Sequence, residues 1–150
     1  MRYAIGDIWD WHATHPIVVP TNIGWTRRGL NVMGRGVALQ ASRKFPYLSD
    51  WYGKACMAHR EGTPVVYHPG YRLLLFPVKP LDCARPWASW SAGADDRLIE
   101  RSAEQLSRFS DKLGAIALPL VGCGNGGLLQ EDVVPILEKY LNDSFVLVEQ

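Results

Sequence analysis

Three features of the sequence predict an α/β fold, a three-layer α/β/α sandwich with a mixed, mostly parallel sheet. Apolar runs of strand length recur along the 150 residues, and segments with helical spacing of apolar residues lie between them. This alternation is typical of a largely parallel sheet that helices cover on both faces. A Pro69-Gly70 turn between two adjacent apolar runs adds an antiparallel hairpin, which makes the sheet mixed. We expect a single domain, residues 1–150, because this length suffices for one hydrophobic core.

The first half of the chain is predicted to hold four strands and two helices. The expected strands are Arg2–Ile5, Ile17–Pro20, Val65–His68 and Tyr71–Val78. The first two runs are apolar enough for strands that are buried in the sheet. Apolar residues at helical spacing predict one helix over residues 37–45. Pro46 can start a second helix, because proline is tolerated in a first helical turn.

A long loop separates the two halves. It covers residues 80–93, and loops of that length usually serve as lids or binding loops, or are disordered. From residue 95 or 96 to about 113, apolar residues at helical spacing predict an amphipathic helix with its acidic residues at the N-terminal end.

The end of the chain is predicted to form a strand, a helix and a final strand. An apolar run over residues 115–121 suits a strand. The helix that follows is expected to run to about Leu141, with Asp132 as its N-cap and Pro135 in its first turn. Phe145–Val148 is the expected last strand.

Glycines gather in two loops that follow strands. Four of the six residues of Gly122–Gly127 are glycine, so another backbone or a ligand can approach closely. A glycine loop that leads into a helix also points backbone N–H groups and the positive end of the helix dipole above the strand, which favours a diphosphate. Met33–Gly36 is a second such loop. Ligands of α/β sheets bind beyond the carboxyl ends of the strands, so we expect both loops, Asn22 and Lys79 to meet at one rim.

Composition excludes several classes of protein. The net charge of +1 provides no basic field for non-specific nucleic-acid binding. The unbroken apolar runs, Leu73–Val78 among them, are far too short to span a membrane. Asp7 lies near the N-terminus, which lacks the hydrophobic region of a signal peptide. The three cysteines form no CxxC pair, so neither a disulfide framework nor a structural zinc site is expected, and the expected compartment is the reducing cytosol.

The second glycine loop also matches a dinucleotide-binding pattern. Gly122, Gly124 and Gly127 give G-x-G-x-x-G, and Glu149 follows at a strand end. A lone match is weak, and we expect no NAD-dependent dehydrogenase because the second half of its sheet would need residues beyond Gln150. A Walker P-loop is excluded, since no Lys-Ser or Lys-Thr follows the glycines.

Three other groups of residues have two interpretations each. Cys123 is either a nucleophile with a lowered pKa near a helix N-terminus or a small residue that fills the loop, and the second is favoured. His12 and His15 are potential metal ligands, but no Cys or acidic pattern completes a site, so we take them as surface residues. Trp9 and Trp11 form either a lid on the core or a ligand platform, and the lid is favoured.

The cationic residues beside the loops leave the chemistry open. A single lysine after a strand is normally a solvated charge, but a partly buried Lys79 would lose its proton more easily, and a neutral amine can attack an aldehyde or anomeric carbon. Arg27, Arg28 and Arg35 flank the first glycine loop, either as a solvated fringe or as contacts to an anionic ligand.

Several motifs resemble those of the macrodomains, a family that binds ADP-ribose. The branch with the most similar motifs contains the DNA ADP-ribosyl glycohydrolase antitoxins and the terminal ADP-ribose glycohydrolase. Its second loop is the most specific match, and its strand-end lysine motif is next. The matching segments are Gly6–Ile8, Thr21-Asn22, Met33–Gln40, Phe45-Pro46, Phe76–Lys79 and Leu118–Leu128.

This resemblance implies a macrodomain-like sandwich that hydrolyses the bond between ADP-ribose and a base or carboxylate, without a metal or cofactor. Lys79 would attack C1″ of the distal ribose, which Asn22 approaches, and water would resolve the transient adduct. Asp7 would accept a hydrogen bond from the adenine amino group. The implied ligand-binding residues are Asp7, Ile8, Asn22, Met33, Gly34, Arg35, Gly36, Val37, Gly122, Cys123, Gly124, Asn125, Gly126, Gly127 and Leu128. The implied partner is ADP-ribose, or DNA, RNA or protein that carries it, with neither a membrane nor an obligate protein partner.

Two departures from the branch bear on the substrate. The vertebrate member pairs its lysine with an aspartate in the second loop, whereas this sequence has Asn125 followed by glycines, as the antitoxins have glycines there. The segment Pro80–Trp90 also differs from the short segment that follows the lysine in those enzymes. Two alternatives to a glycohydrolase therefore stay open: a phosphatase acting on ADP-ribose 1″-phosphate, and a non-catalytic reader or sequestering module for ADP-ribose or a related nucleotide.

Overall fold

The computed structural model describes all 150 residues and confirms the predicted α/β/α sandwich. A six-stranded sheet has the order β1-β6-β5-β2-β4-β3, in which only the β3–β4 pair is antiparallel. Its strands are β1 (Arg2–Ile5), β2 (Ile17–Asn22), β3 (Val66–His68), β4 (Leu73–Lys79), β5 (Ile116–Leu118) and β6 (Phe145–Glu149). The α-helices are α1 (Gly36–Lys44), α2 (Leu48–His59), α3 (Asp96–Ser107), α4 (Ser110–Leu113) and α5 (Gln130–Tyr140). Short 3-10 turns cover Ile8–Trp11, Arg60–Gly62 and Pro86–Ser91.

Both faces of the central strands are buried, which produces the three layers. Along β4, Leu74 and Phe76 point into the cluster that contains the inner faces of α3 and α5. Leu73 and Leu75 point into the opposite cluster, which contains those of α1 and α2. Successive side chains of a strand alternate between faces, so an uninterrupted apolar run fills both clusters. None of the helices combines the length and the apolar character that crossing a membrane requires.

The first strand is more exposed than the sequence predicts. β1 pairs only with β6, at the edge of the sheet, and the side chain of Ile5 is 89% exposed. An apolar run alone does not distinguish an edge strand from a central one, because that difference depends on which strands pair with it.

The helix that was expected over residues 95–113 is divided in two. The helix begins where it was expected, and Asp95 caps α3, since its carboxylate accepts hydrogen bonds from the backbone N–H groups of Arg97 and Leu98. The chain leaves the α-helix at Arg108 and Phe109, and α4 adds one further turn. Phe109 packs against the same core cluster as the buried residues of α3, so the predicted inward position of Phe109 is retained although the α-helix is interrupted there.

The last helix begins earlier than predicted. α5 starts at Gln130, so Asp132 lies in its first turn rather than at its N-cap, and Pro135 lies inside the helix. Leu129 occupies the N-cap position without a side-chain cap. The missing N–H of Pro135 removes one intrahelical hydrogen bond. The start follows from the preceding loop, which closes where the backbone N–H of Leu128 donates to the carbonyl oxygen of Gly122.

Candidate functional site

A cleft of 660 Å³ lies at the carboxyl ends of the parallel strands, where the sequence predicts a ligand site. Its volume is within the roughly 300–1,000 Å³ that is common for small-molecule sites. The cleft is formed by the end of β2, the start of α1, the end of β4, the 3-10 turn at Pro86–Ser91 and the loop after β5. The two glycine loops, Asn22 and Lys79 therefore converge as expected.

Ten of the predicted site residues line this cleft, and six do not. Those that line it are Asn22, Gly34, Arg35, Gly36, Val37, Lys79, Gly122, Gly124, Asn125 and Gly126. Those outside its lining are Asp7, Ile8, Met33, Cys123, Gly127 and Leu128. Residues that sequence reasoning did not single out also line it, chiefly Thr21, Trp90 and Ser91.

The residues around Asp7 form a rigid corner of the fold. The Asp7 carboxylate is exposed and caps the first 3-10 turn by accepting a hydrogen bond from the backbone N–H of Trp9. Ile8 is buried in the core. The Trp9 indole packs against the ring of Phe45 and donates to the side chain of Gln40 at 2.7 Å, which fits the lid interpretation.

The two histidines are tied into the structure rather than free at the surface. His12 and His15 are both half-buried. A ring nitrogen of His12 lies 2.8 Å from the carbonyl oxygen of Tyr71, and one of His15 lies 2.7 Å from the hydroxyl of Thr14. No three His, Cys, Asp or Glu side chains converge in a way that could hold a metal ion.

The second glycine loop is packed too tightly for side chains at two positions. A Cβ on Gly126 would lie 2.4 Å from the carbonyl oxygen of Gly122 and 2.7 Å from Cβ of Ala94. Gly122 has a φ of +75°, and a Cβ there would lie 2.6 Å from Cδ1 of Ile99. The carbonyl oxygen of Gly126 also accepts a hydrogen bond from the N–H of Ala94 at 2.9 Å. The loop therefore presents bare backbone to the cleft.

The structure corrects the expected role of the helix after this loop. α5 begins only at Gln130, and no residue from Gly127 onwards lines the cleft. The first turn of α5 therefore does not line the cleft. Burial raises the pKa of the Cys123 thiol, with smaller contributions from Asp132 and Glu149, which favours its interpretation as a loop filler over that of a nucleophile.

The first helix supplies the free N–H groups that α5 does not. Gly36, Val37 and Ala38, at the start of α1, line the cleft, and the N-cap residue Arg35 makes no side-chain capping bond. The first N–H groups of an α-helix have no partner within the helix, so such an end is suited to a phosphate. Gly36 has a φ of +58°, a conformation that glycine reaches without strain.

Asn22 holds the first glycine loop in place. Its side-chain Nδ2 donates to the carbonyl oxygen of Val32 at 2.8 Å, and its Oδ1 accepts from the N–H of Gly24 and from Nδ2 of Asn31. Nδ2 of Asn31 also lies within hydrogen-bond distance of the carbonyl oxygens of Asn22 and Gly24. Both asparagines are buried, although Asn22 reaches the cleft wall. Asn31 is a supporting residue that the sequence did not reveal.

Lys79 lies at the end of β4 with its amine held against the opposite wall. Its Nζ donates to the backbone carbonyl oxygen of Trp90 at 2.7 Å. Burial, with the positive charge of Arg35 as a second cause, lowers the pKa of the Lys79 amine. Both the ammonium ion and the neutral amine can donate to a carbonyl, so this contact positions Nζ in either state.

The segment that follows Lys79 is an ordered wall of the cleft. Within the 3-10 turn, the hydroxyl of buried Ser89 donates to the carbonyl oxygen of Pro86 and accepts from the N–H of Asp82. Gly24 packs directly on the turn, because a Cβ there would lie 2.1 Å from the carbonyl oxygen of Pro86. The predicted loop therefore has a fixed position beside the strand-end lysine.

The composition of the cleft limits its chemistry. No carboxylate and no imidazole lines it, and its two cationic side chains are those of Arg35 and Lys79. An arginine stays protonated, so Lys79 is the one amine in the cleft that can act as a nucleophile.

Comparison of the sequence with those of known proteins identifies relatives of this chain. No protein-family model matches the chain. It is 32% identical over 113 residues to proteins named DNA ADP-ribosyl glycohydrolase from Mycobacterium tuberculosis and Mycobacterium bovis. The match covers 69% of this chain, and the chain spans only about 30% of the length of these curated relatives.

Solved structures share the fold over almost the whole chain. The macrodomain of Thermus aquaticus DarG is 29% identical, with a TM-score of 0.72, and that of Mycobacterium tuberculosis DarG is 27% identical, with a TM-score of 0.71. In both, the match covers 99% of this chain and 97% of the other. Thermosipho africanus DarTG in complex with ADP-ribose has a TM-score of 0.76 at 22% identity, over 99% of this chain and 42% of that one. At that identity the likeness shows the fold alone.

Proposed function

Because this chain belongs to the macrodomain family, in the branch of the DarG macrodomains, we propose that it binds ADP-ribose in the cleft and removes it from a modified nucleic-acid base. The observation that carries the proposal is Lys79, an amine with a lowered pKa in a cleft without carboxylates or imidazoles. The curated relatives named DNA ADP-ribosyl glycohydrolase support the reaction and the type of substrate. The expected cytosolic location suits such a substrate.

The proposed binding mode follows from the walls of the cleft. The diphosphate would lie between the uncapped start of α1 and the bare backbone of Gly122–Gly126, because both offer close approach and N–H groups. The distal ribose would then lie towards Asn22 and Lys79. The exposed carboxylate of Asp7 would accept from the adenine amino group, as the family resemblance implies.

The proposed reaction has two steps at C1″ of the distal ribose. The neutral Nζ of Lys79 attacks C1″, and the bond between C1″ and the base breaks. The base leaves with the bonding electrons and takes a proton from solvent, while the lysine loses one. Water then adds to C1″, the bond between Nζ and C1″ breaks, and free ADP-ribose and the amine are restored. No metal takes part in these steps.

Replacement of the lysine tests this mechanism. Lys79→Ala should abolish release of ADP-ribose from an ADP-ribosylated single-stranded oligonucleotide, while calorimetry should show ADP-ribose binding close to that of the unchanged protein. Lys54→Ala is a matched control, because Lys54 is an exposed lysine outside the cleft. Full turnover by Lys79→Ala would refute the mechanism.

A panel of substrates separates the alternatives. It contains ADP-ribosylated DNA, RNA and peptides, the peptides linked through either a carboxylate or a serine, together with ADP-ribose 1″-phosphate. Phosphate release from the last compound, unaffected by Lys79→Ala, would identify a phosphatase instead. Tight ADP-ribose binding with no turnover of any member would identify a reader. Absence of ADP-ribose binding would refute the proposed ligand.

A further inference from the structure

We propose that a second groove beside the cleft stacks an unmodified nucleobase, so that the protein holds single-stranded nucleic acid next to the ADP-ribosylated nucleotide. This flanking groove has a volume of 480 Å³. It is lined by Trp25, Thr26, Arg27, Met57, Pro86 and Trp87. The inference deepens the proposed function and rests on it for the identity of the strand.

The flanking groove and the cleft share a wall. Pro86 and Trp87 line the groove, whereas Trp90, in the same 3-10 turn, lines the cleft. On the opposite side, Asn22 lines the cleft and Trp25 lines the groove. Asn22 and Trp25 are three positions apart, so their Cα atoms are separated by about 10 Å at most. One short oligonucleotide can therefore reach both the cleft and the flanking groove.

The shared wall is already formed without a ligand. The close contact of Gly24 with Pro86 holds the turn against the residues that follow β2. The two hydrogen bonds of the buried Ser89 hydroxyl, to Pro86 and Asp82, hold the turn itself together. On this fixed turn the side chain of Trp87 is nonetheless 55% exposed. Because the backbone of the turn is already fixed, only the indole itself has to be ordered when a base stacks on it, which favours binding.

Aromatic and positive residues together favour a nucleic-acid strand as the occupant. Two of the six lining residues are tryptophans, one is Arg27, and none is acidic. Arg28, next to it, is exposed. The nearby Arg85 is already paired with Asp82 at 3.4 Å, so Arg27 and Arg28 are the cations available to phosphates. Aromatic faces for the bases with cations for the backbone are the usual means of binding single strands.

Binding of unmodified oligonucleotides tests the groove independently of catalysis. The assay is fluorescence anisotropy at low salt with labelled single-stranded hexamers, one of DNA and one of RNA, of matched sequence. Trp87→Ala should weaken binding about 5- to 100-fold, as loss of base–aromatic stacking does elsewhere. Trp87→Tyr should retain most of the affinity, because tyrosine also stacks. A hexamer of DNA without bases should bind the unchanged protein as weakly as the normal hexamer binds Trp87→Ala.

Matched controls exclude general effects of the substitutions. Tyr47 is 75% exposed and lies outside the groove, so Tyr47→Ala should bind the hexamers like the unchanged protein. Arg27→Gln should weaken binding and reduce its salt dependence, whereas Arg101→Gln, at an exposed position of α3, should do neither. The DNA and RNA arms show which type of strand the groove prefers.

The outcomes separate this inference from the proposed function. The inference that the flanking groove binds a nucleobase would be overturned by either of two results. One is equal hexamer affinity in Trp87→Ala and the unchanged protein, and the other is no binding of either hexamer by the unchanged protein. A dependence on Trp87 seen only with an ADP-ribosylated peptide would also overturn it and would point to a protein substrate. If hexamer binding depends on Trp87 but no ADP-ribosylated strand is hydrolysed, only the glycohydrolase proposal fails.

Discussion

Alanine at Gly53 should destabilise the protein, although alanine is normally the better residue inside a helix. Gly53 lies within α2, where alanine is favoured over glycine by roughly 0.8–1.0 kcal/mol. Here, however, a Cβ would lie 2.0 Å from the carbonyl oxygen of Gly29 and 2.7 Å from the backbone nitrogen of Asn31. Both neighbours are backbone atoms, so no side chain can turn away to make room.

The magnitude follows from what has to move. The N–H of Asn31 donates to the carbonyl oxygen of Ser49 in α2, and its side chain holds the loop to Asn22. Overpacking costs about 1–3 kcal/mol. Weakening one hydrogen bond adds about 0.5–1.5 kcal/mol. With the gain in helix propensity subtracted, Gly53→Ala should lower the free energy of unfolding by about 0.5–3.5 kcal/mol.

Urea unfolding with a glycine control gives a sharp test. A Cβ on Gly62 would meet no atom within 4 Å, and its φ is not in the left-handed region. Gly62→Ala should therefore stabilise the protein by about 0.4–1 kcal/mol, through the entropy of the unfolded chain. Gly53→Ala should also weaken ADP-ribose binding, because the displaced loop leads into the first wall of the cleft. If Gly53→Ala proved as stable as the unchanged protein, the claim of a fixed contact between loop and helix would be wrong.

Two further predictions concern the cleft itself. Arg35→Gln removes a positive charge that helps to lower the pKa of Lys79. Because the reaction needs the neutral amine, the rise of kcat/KM with pH should shift to higher pH, and an unshifted profile would contradict the role of Arg35. Gly126→Ala places a Cβ 2.4 Å from the carbonyl oxygen of Gly122, so the loop has to shift. That shift should weaken ADP-ribose binding by roughly 10-fold, which corresponds to about 1.4 kcal/mol of binding free energy. Calorimetry measures this loss, and Gly62→Ala again serves as the control, which should bind normally.

The sequence predicted those parts of the fold that depend on local patterns. The uninterrupted apolar run Leu73–Val78 predicts a strand that is buried on both faces. In the structure its residues are buried as predicted. The start of α5 could not be predicted in this way. Asp132 is the better N-cap by residue preference, but Leu128 packs against the core and its N–H closes the glycine loop, so the helix begins at Gln130. Tertiary packing outweighed a capping preference that is worth about 1 kcal/mol.

The sequence predicted the site residues that lie at strand ends, but it did not predict the contacts that loop residues make in the site. Asn22 and Lys79 are the last residues of two paired parallel strands, so topology alone brings them to one rim. The contact between Lys79 and the carbonyl oxygen of Trp90 depends on the path of a loop without any periodic pattern. Asn31 resembles an ordinary polar loop residue, and its role arises only because the chain folds back onto Asn22 and Gly24.

The composition of the cleft also limits which linkages Lys79 could cleave. Attack on C1″ expels a leaving group, and an enzyme usually assists a poor one with a positioned general acid. The cleft offers no carboxylate or imidazole for that task. A nucleobase nitrogen within an imide, or a carboxylate, leaves as a stabilised anion and needs no such acid, whereas a serine alkoxide does. In the substrate panel, the strands and carboxylate-linked peptides should therefore be turned over and the serine-linked peptide should not. Hydrolysis of the serine linkage would mean that a proton donor outside the described cleft reaches the substrate.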